Sequence, residues 1–213
     1  MLHLLLDFFF HKRSLLNIEG EWITREERAI LRSCPVVLTG GTLTERGIRS
    51  LDRIVAASRY SATPLLRKAI HTFKYRKVFD LARDLSALML QVVPKLDAYP
   101  EPVLCPVPLH WTRRFERGFN QAELLAIELS QVLDYPVKNL LARVRPTGHQ
   151  AWRLREDRRN ALKDAFRFEG SFVPDFVILI DDLSTTGATL EACARELKIA
   201  GVKRVEGWVV AQG

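Results

Sequence analysis

Residues Phe176–Leu190 read FVILIDDLSTTGATL, and the interpretation of this stretch decides the fold. Val177–Ile180 is apolar and, Leu179 apart, β-branched, the composition of a strand buried on both faces. Two adjacent carboxylates, Asp181 and Asp182, stand at its carboxyl end. Neighbouring negative charges repel, so the pair requires hydroxyl donors, a metal ion or nearby cations. Ser184, Thr185, Thr186, Gly187, Ala188 and Thr189 follow, all small or hydroxylated, and lead into a helix expected over Leu190–Ala200. Small residues let the backbone approach a ligand, and the free N–H groups of a helix start attract an anion. The plain structural alternative is a capped helix after an ordinary strand.

Outward from this stretch, strands alternate with helices. A closing strand is expected over Val205–Ala211. Upstream, VLCPVPL (Val103–Leu109) reads as a strand and runs into HWTRRFERGFNQAELLAIELSQVL. The second half of that segment is a helix with Asn120 as N-cap and Glu123 three residues on, an Asn form of the capping box. A short strand follows near Val137–Leu141. Arg143–Lys163 is rich in arginine and lysine and poor in large apolar residues, the composition of a solvated loop. Between Pro64 and Val93, Leu65, Leu66, Ile70 and Phe73, then Leu81, Leu85, Leu88 and Met89, recur at helical spacing. They predict two helices flanking the basic turn KYRK (Lys74–Lys77). Residues 34–50 read as loop or short strands, and the lead segment 1–33 ends in a helical REERAILRS. This alternation argues for an α/β fold with a mainly parallel sheet, in which ligands sit beyond the carboxyl ends of the strands.

The chain has 213 residues, enough for one ordinary domain with a small appendage, and its 47% hydrophobic content supplies a sizeable core. A formal charge of +7 favours anionic partners, although a charge spread over a solvated surface is equally compatible with no partner at all. Cys34, Cys105 and Cys193 lie far apart and form neither a disulfide framework nor paired metal-ligand spacing, so a reducing, cytoplasmic location is expected. The opening MLHLLLDFFFHKR is too short to span a bilayer and lacks the charge order of a secretory signal. An amphipathic packing helix is the expected use.

The acids at one end of IDDLSTTGAT suit hydroxyl groups or a cation, and the turn at the other end suits a phosphate. A ribose 5-phosphate carries both. A Walker-type phosphate loop is excluded because no Gly-Lys-Ser/Thr follows. The stretch resembles the signature of type I phosphoribosyltransferases, which bind phosphoribosyl pyrophosphate (PRPP). The resemblance implies that Asp181 and Asp182 take the ribose hydroxyls. It implies also that Thr185, Thr186, Gly187, Ala188 and Thr189, with Ser184 at a variable position, cradle the 5-phosphate. The loop Pro108, Leu109, His110, Arg113, Arg114, Arg117 corresponds by position to that superfamily's pyrophosphate loop, with Arg113 and Arg114 joining the acids as catalytic candidates. A solvated basic face is the alternative for these arginines.

Three further segments, PVPL…RRFERGFNQAE, RVRPTGHQAWRLREDRRNALKDAFRF and HTFKYRKVFDLARDL, are similar to the ComF family. That likeness runs from about Tyr60 to the end, and it implies a flexible loop bearing Gln150, Arg158 and Asn160. These residues also suit a charged surface helix or local caps. His110 and His149 have no partner visible in the sequence. The implied architecture is a type I phosphoribosyltransferase fold over residues 59–213, with a small N-terminal lobe over 1–58.

ComF relatives usually begin with a zinc ribbon. Here Ser14, Asn17, Thr24 and Glu27 fall where its cysteines would stand, so no zinc is expected. Leu4, Leu5, Phe8 and Phe9 would pack the lobe instead. The implied activity is phosphoribosyl transfer from PRPP, with Mg2+ bound to the PRPP, no metal held by protein side chains, and an acceptor the sequence does not name. A salvage enzyme for a purine or pyrimidine is a weaker variant, since residues 1–60 announce no base-reading pocket. The other reading is a PRPP-sensing or single-stranded-DNA-binding protein linked to competence, with Trp111, Phe115, Phe119 and Trp152 as stacking faces. Phe119 and Trp152 also suit the core.

Overall fold

The computed structural model describes residues 14–19, 22–31, 33–75, 78–93, 101–109, 112, 115–116, 118–145, 162 and 164–213. Two nine-residue strands form its axis. They are separated in sequence by a single helix and pair in parallel from Phe176↔Arg204 to Ser184↔Gln212.

In chain order the elements are α1 (Arg25–Ile30), β1 (Val36–Thr39), α2 (Gly40–Glu45), β2 (Arg53–Arg59), α3 (Pro64–Tyr75), α4 (Leu81–Leu90) and β3 (Val103–Pro106). α5 (Gln121–Leu133), β4 (Leu141–Arg143), β5 (Phe166–Phe168), β6 (Phe176–Ser184), α6 (Ala188–Ala200) and β7 (Arg204–Gln212) complete them. The main sheet has the order β1-β2-β7-β6-β3, parallel except for β1, which pairs antiparallel with β2 at one edge. β4 and β5 form a separate antiparallel ribbon. The protein is thus α/β, with a mostly parallel central sheet flanked by helices.

Strand alternation sorts the core into two layers. Ile178, Ile180, Trp208 and Val210 pack with Phe73 of α3, Leu85 of α4 and Leu125 of α5. Val177, Leu179, Val205 and Val209 pack with Leu190, Cys193 and Leu197 of α6 and with Leu141 and Phe166 of the ribbon. Both faces of β6 and β7 are therefore covered, which is why their sequences are continuously apolar rather than alternating.

The two helices around the basic turn lie where the 3.6-residue spacing set them, with Arg76 and Lys77 outside the described residues. α5 begins after Asn120, whose Oδ1 accepts from the Ala122 N–H at 3.1 Å. The strand predicted as FVILI runs four residues further. Asp181, Leu183 and Ser184 pair with Val209, Ala211 and Gln212, because β7 continues unbroken beside them. α6 starts at Ala188, two residues earlier than predicted. β3 stops at Pro106 rather than Leu109; Pro108 has no N–H with which to prolong a ladder. β2 falls where no element was expected, and the segment 34–50, expected as loop or short strands, holds both β1 and the short helix α2, whose first turn is closed by Thr42 Oγ1 accepting from the Thr39 N–H at 3.0 Å. The expected boundary between residues 58 and 59 falls inside β2.

Residues 14–31 carry Leu15, Ile23 and Leu31 into the same buried cluster as Phe73 and Leu85. Two of the four positions aligned with zinc-ribbon cysteines, Ser14 and Thr24, bond there to the carboxylate of a third, Glu27. Glu27, fully buried, accepts from the Ser14 hydroxyl at 2.8 Å, from the Leu16 N–H and from the Thr24 N–H at 2.7 Å. Thr24 in turn caps α1 by accepting from the Glu27 N–H at 3.2 Å. The Asn17 N–H donates to the Ser14 carbonyl at 2.9 Å. Leu4, Leu5, Phe8 and Phe9 lie outside the described residues. Among the described residues, no group of three or more His, Cys, Asp or Glu is placed to hold a metal ion. Also among them, no helix is long and apolar enough to cross a membrane.

Candidate functional site

At the carboxyl end of the sheet, β6 delivers Asp181 and Asp182 to the edge from which α6 departs. Asp182 is buried at 5% exposure, and its Oδ1 takes the Lys74 Nζ at 2.9 Å. Lys74 is the next-to-last residue of α3, so an element far away in the chain supplies the cation that a pair of adjacent carboxylates requires. Asp181 Oδ1 accepts from the Asp182 N–H at 2.8 Å. Burial, and then the neighbouring Asp182 carboxylate, push the Asp181 carboxyl up to about 7; Lys74, the Asp182 N–H and Arg143 of β4 pull against that rise.

The turn that follows is short. Thr185, Thr186 and Gly187 connect β6 to α6, and Gly187 takes φ +79° as the residue preceding the helix. A Cβ on Gly187 would lie 2.4 Å from Ile48 Cδ1, so the left-handed backbone and the packing both demand glycine here. The Thr186 hydroxyl accepts from the Ala188 N–H at 3.3 Å. Thr185 is exposed, and its carbonyl accepts from Gln212 Nε2 at 2.7 Å, which pins the turn to the end of β7. Ser184, placed by the sequence in the phosphate loop, is instead the last residue of β6, at 4% exposure.

The Oγ atoms of Ser184 and Ser58 and the Oε1 of Gln212 are buried without a hydrogen-bond partner. All three belong to the carboxyl ends of the neighbouring strands β6, β2 and β7. Buried polar atoms of this kind are costly unless water or a ligand atom satisfies them. Beside the turn, Thr186 and Ala188 line a cavity of about 200 Å3 to which Arg46 and Arg195 bring cations. Glu191, in the first turn of α6, accepts from the Ser50 N–H and Oγ at 2.9 Å and fixes the 46–50 loop against this cavity.

Of the second loop, Pro108 and Leu109 are half-buried and follow β3, at the same carboxyl edge as the acids. His110, Trp111, Arg113, Arg114 and Arg117 lie outside the described residues, as do His149, Gln150, Trp152, Arg158 and Asn160. Phe115 is exposed at 89%. Phe119 packs against Phe73 and Phe79, with ring centroids 6.0 and 4.9 Å away, and serves as core. The thiols of Cys105 and Cys193 are buried; burial raises Cys105 to about 12 and Cys193 well above its ordinary value, so both stay protonated. Cys34 is exposed.

No protein-family model matches the chain. It is 34% identical over 172 residues to Competence protein F of Haemophilus influenzae, covering 76% of this chain and 74% of that protein. The chain belongs to the ComF family. DNA utilization protein YhgH of Escherichia coli is 31% identical over 167 residues, 76% of this chain and 72% of its own length. Competence protein ComFC of Bacillus subtilis is 32% identical over 149 residues, covering 65% and 55%.

For this ComF-family chain, three polar residues escaped sequence reasoning. Lys74 was visible only as part of a basic turn. Arg143 was assigned to a solvated loop, yet it lies in β4, where its guanidinium stacks on Phe166 at 5.3 Å and bears on Asp181. Gln121 follows the N-cap, is 2% exposed, and donates from Nε2 to the Lys74 carbonyl at 3.3 Å.

Proposed function

We propose that this protein binds PRPP and transfers its phosphoribosyl group with release of pyrophosphate, on a type I phosphoribosyltransferase fold. The observation that carries the reading is the meeting of two features at one strand end. An adjacent acid pair, Asp181 and Asp182, the latter ion-paired with Lys74, sits one short turn from the start of α6, with Gly187 in a left-handed conformation between them. The acids suit ribose hydroxyls. The turn, with its helix start and threonine hydroxyls, suits the 5-phosphate.

Mg2+ would arrive chelated by PRPP itself and supply charge neutralisation to the departing pyrophosphate. Asp181 and Asp182 fit such a complex as acceptors for its hydroxyl groups. Positioning and electrostatics would carry the rate with no covalent nucleophile, the cationic anomeric carbon being shielded from water. The arginines of the 108–117 loop would neutralise pyrophosphate charge as it leaves. Relatives named for competence and for DNA utilization support a role in the uptake or use of DNA.

Incubation with PRPP, Mg2+ and candidate acceptors, followed by mass spectrometry for pyrophosphate and a ribosylated product, tests turnover. Calorimetry tests binding: Asp182→Asn is expected to weaken Mg-PRPP at least tenfold, and an unchanged affinity would remove the site assignment.

A second reading, a binding protein for single-stranded DNA, has its own observation. The exposed face of α3 carries Arg67, Lys68, His71 and Tyr75, with the His71 and Tyr75 rings 4.7 Å apart. Cations beside an exposed aromatic pair are the elements of a stacking platform. Salt-dependent binding of a labelled oligonucleotide, with and without PRPP, separates the readings. Tight DNA binding with no affinity for PRPP would favour the second.

A further inference from the structure

We propose that Lys74 is a positioning residue of the PRPP site: its ammonium holds one oxygen of Asp182 so that the other is presented to the ribose, and the buried Gln121 amide ties the end of α3, where Lys74 stands, to the start of α5. The inference rests on the phosphoribosyl reading above.

Three sets of contacts carry it. Lys74 Nζ stands 2.9 Å from Asp182 Oδ1, and the two side chains are only 19% and 7% exposed. An ion pair screened from water in this way is not a surface contact of negligible energy; removal of one partner leaves a buried charge uncompensated. Next, the stem of Lys74 is anchored. Its neighbour Phe73 is fully buried, as are Ala69 and Ile70 one turn back, so α3 cannot shift without disturbing the core.

The third contact is made with the Lys74 backbone. Gln121 donates to the Lys74 carbonyl, while Asn120 Nδ2 donates to the Val107 carbonyl at 3.1 Å. Polar bonds thus join the end of β3, the start of α5, the end of α3 and the acid of β6 along one edge of the sheet.

A carboxylate offers about four lone-pair directions on two oxygens. With Oδ1 committed to an ammonium, Oδ2 of Asp182 retains its acceptor capacity. Lysine suits this task because its charge also offsets the repulsion between Asp181 and Asp182.

Calorimetric titration of the full chain with PRPP and excess Mg2+ at pH 8, alongside thermal unfolding without ligand, tests the proposal. Lys74→Met is expected to lose at least tenfold in affinity, Lys74→Arg to recover most of that loss, and Gln121→Leu to lose about threefold. A purely structural lysine would lower the unfolding temperature of Lys74→Met yet leave the affinity of its folded fraction unchanged. That result, with binding intact in the wild type, overturns the proposal alone. Absence of PRPP binding by the wild type would remove the phosphoribosyl reading and this inference with it. Should Lys74→Met fail to fold, Lys74→Gln decides in its place, by the same tenfold loss or by wild-type affinity.

Discussion

Asp181 combines burial with a carboxylate neighbour, and both disfavour its charged form. Its carboxyl is therefore raised from an ordinary 3.8 to about 7. The folded chain holds this proton over a pH range in which the unfolded chain has released it. The associated stability is fully present below about pH 4 and is lost as pH rises through about 7. At about 1.4 kcal/mol per unit the whole shift is an upper bound, because Asp181 keeps some contact with solvent; on the order of 2 kcal/mol is the expected cost at pH 8. Asp181→Asn should remove that dependence. Denaturant unfolding at pH 5 and pH 8 is expected to show wild-type stability falling between the two, and a smaller fall in the variant. Equal slopes would mean that Asp181 is not the group responsible. If the ionised carboxyl accepts from ribose hydroxyls, Mg-PRPP affinity of the wild type should rise across the same interval, and calorimetry at both pH values would register it.

The elements owe their positions to a few residues that leave little choice. Gly187 connects β6 to α6 at φ +79° with Ile48 against its Cα. Gly187→Ala is expected to destabilise the fold by about 1–3 kcal/mol and to displace the turn that faces the phosphate, read as a lower unfolding temperature together with weakened PRPP binding. Glu27 does for residues 14–31 what a metal ion does for a ribbon: one charged centre accepts from several donors. Glu27→Ala should cost about 2–4 kcal/mol, because the Ser14 hydroxyl and the Leu16 and Thr24 amides lose their acceptor together; amide exchange over residues 14–31 would accelerate before the sheet opens.

The same elements explain which parts of the fold were legible beforehand. α3, α4 and α5 announce themselves through apolar spacing, and Asn120 marks a helix start by its own chemistry. β2 does not, since Ile54–Ala57 is a short apolar run with no period to distinguish strand from helix. The length of β6 was hidden as well, because its last four residues are held in the ladder by β7 and not by any preference of their own. At the site, the motif residues could be read from one contiguous stretch. Lys74 and Gln121 reach it only through tertiary packing, and no local pattern records such a meeting.

In the whole molecule, residues 53–59 belong to the central sheet, where β2 lies between β1 and β7. β2 pairs with β7 from Arg53↔Glu206 to Arg59↔Gln212, and Ile54, Val55, Ala56 and Ala57 are all buried. Glu206 of β7 is itself fully buried and receives Arg53 at 2.9 Å, Arg204 at 2.6 Å and the Trp208 N–H at 3.0 Å. A chain begun at Arg59 would lose the Arg53 guanidinium and leave the long apolar edge of β7 unpaired, an arrangement that invites association with other chains. Truncation to residues 59–213 is therefore expected to abolish cooperative folding and to yield aggregating protein. The full chain should unfold in one transition, with circular dichroism and intrinsic fluorescence tracing the same curve. A truncated chain that stays monomeric, melts cooperatively and still binds Mg-PRPP would show that β7 tolerates an open edge, and that the chain from Arg59 onward suffices both for the fold and for the site at its carboxyl end.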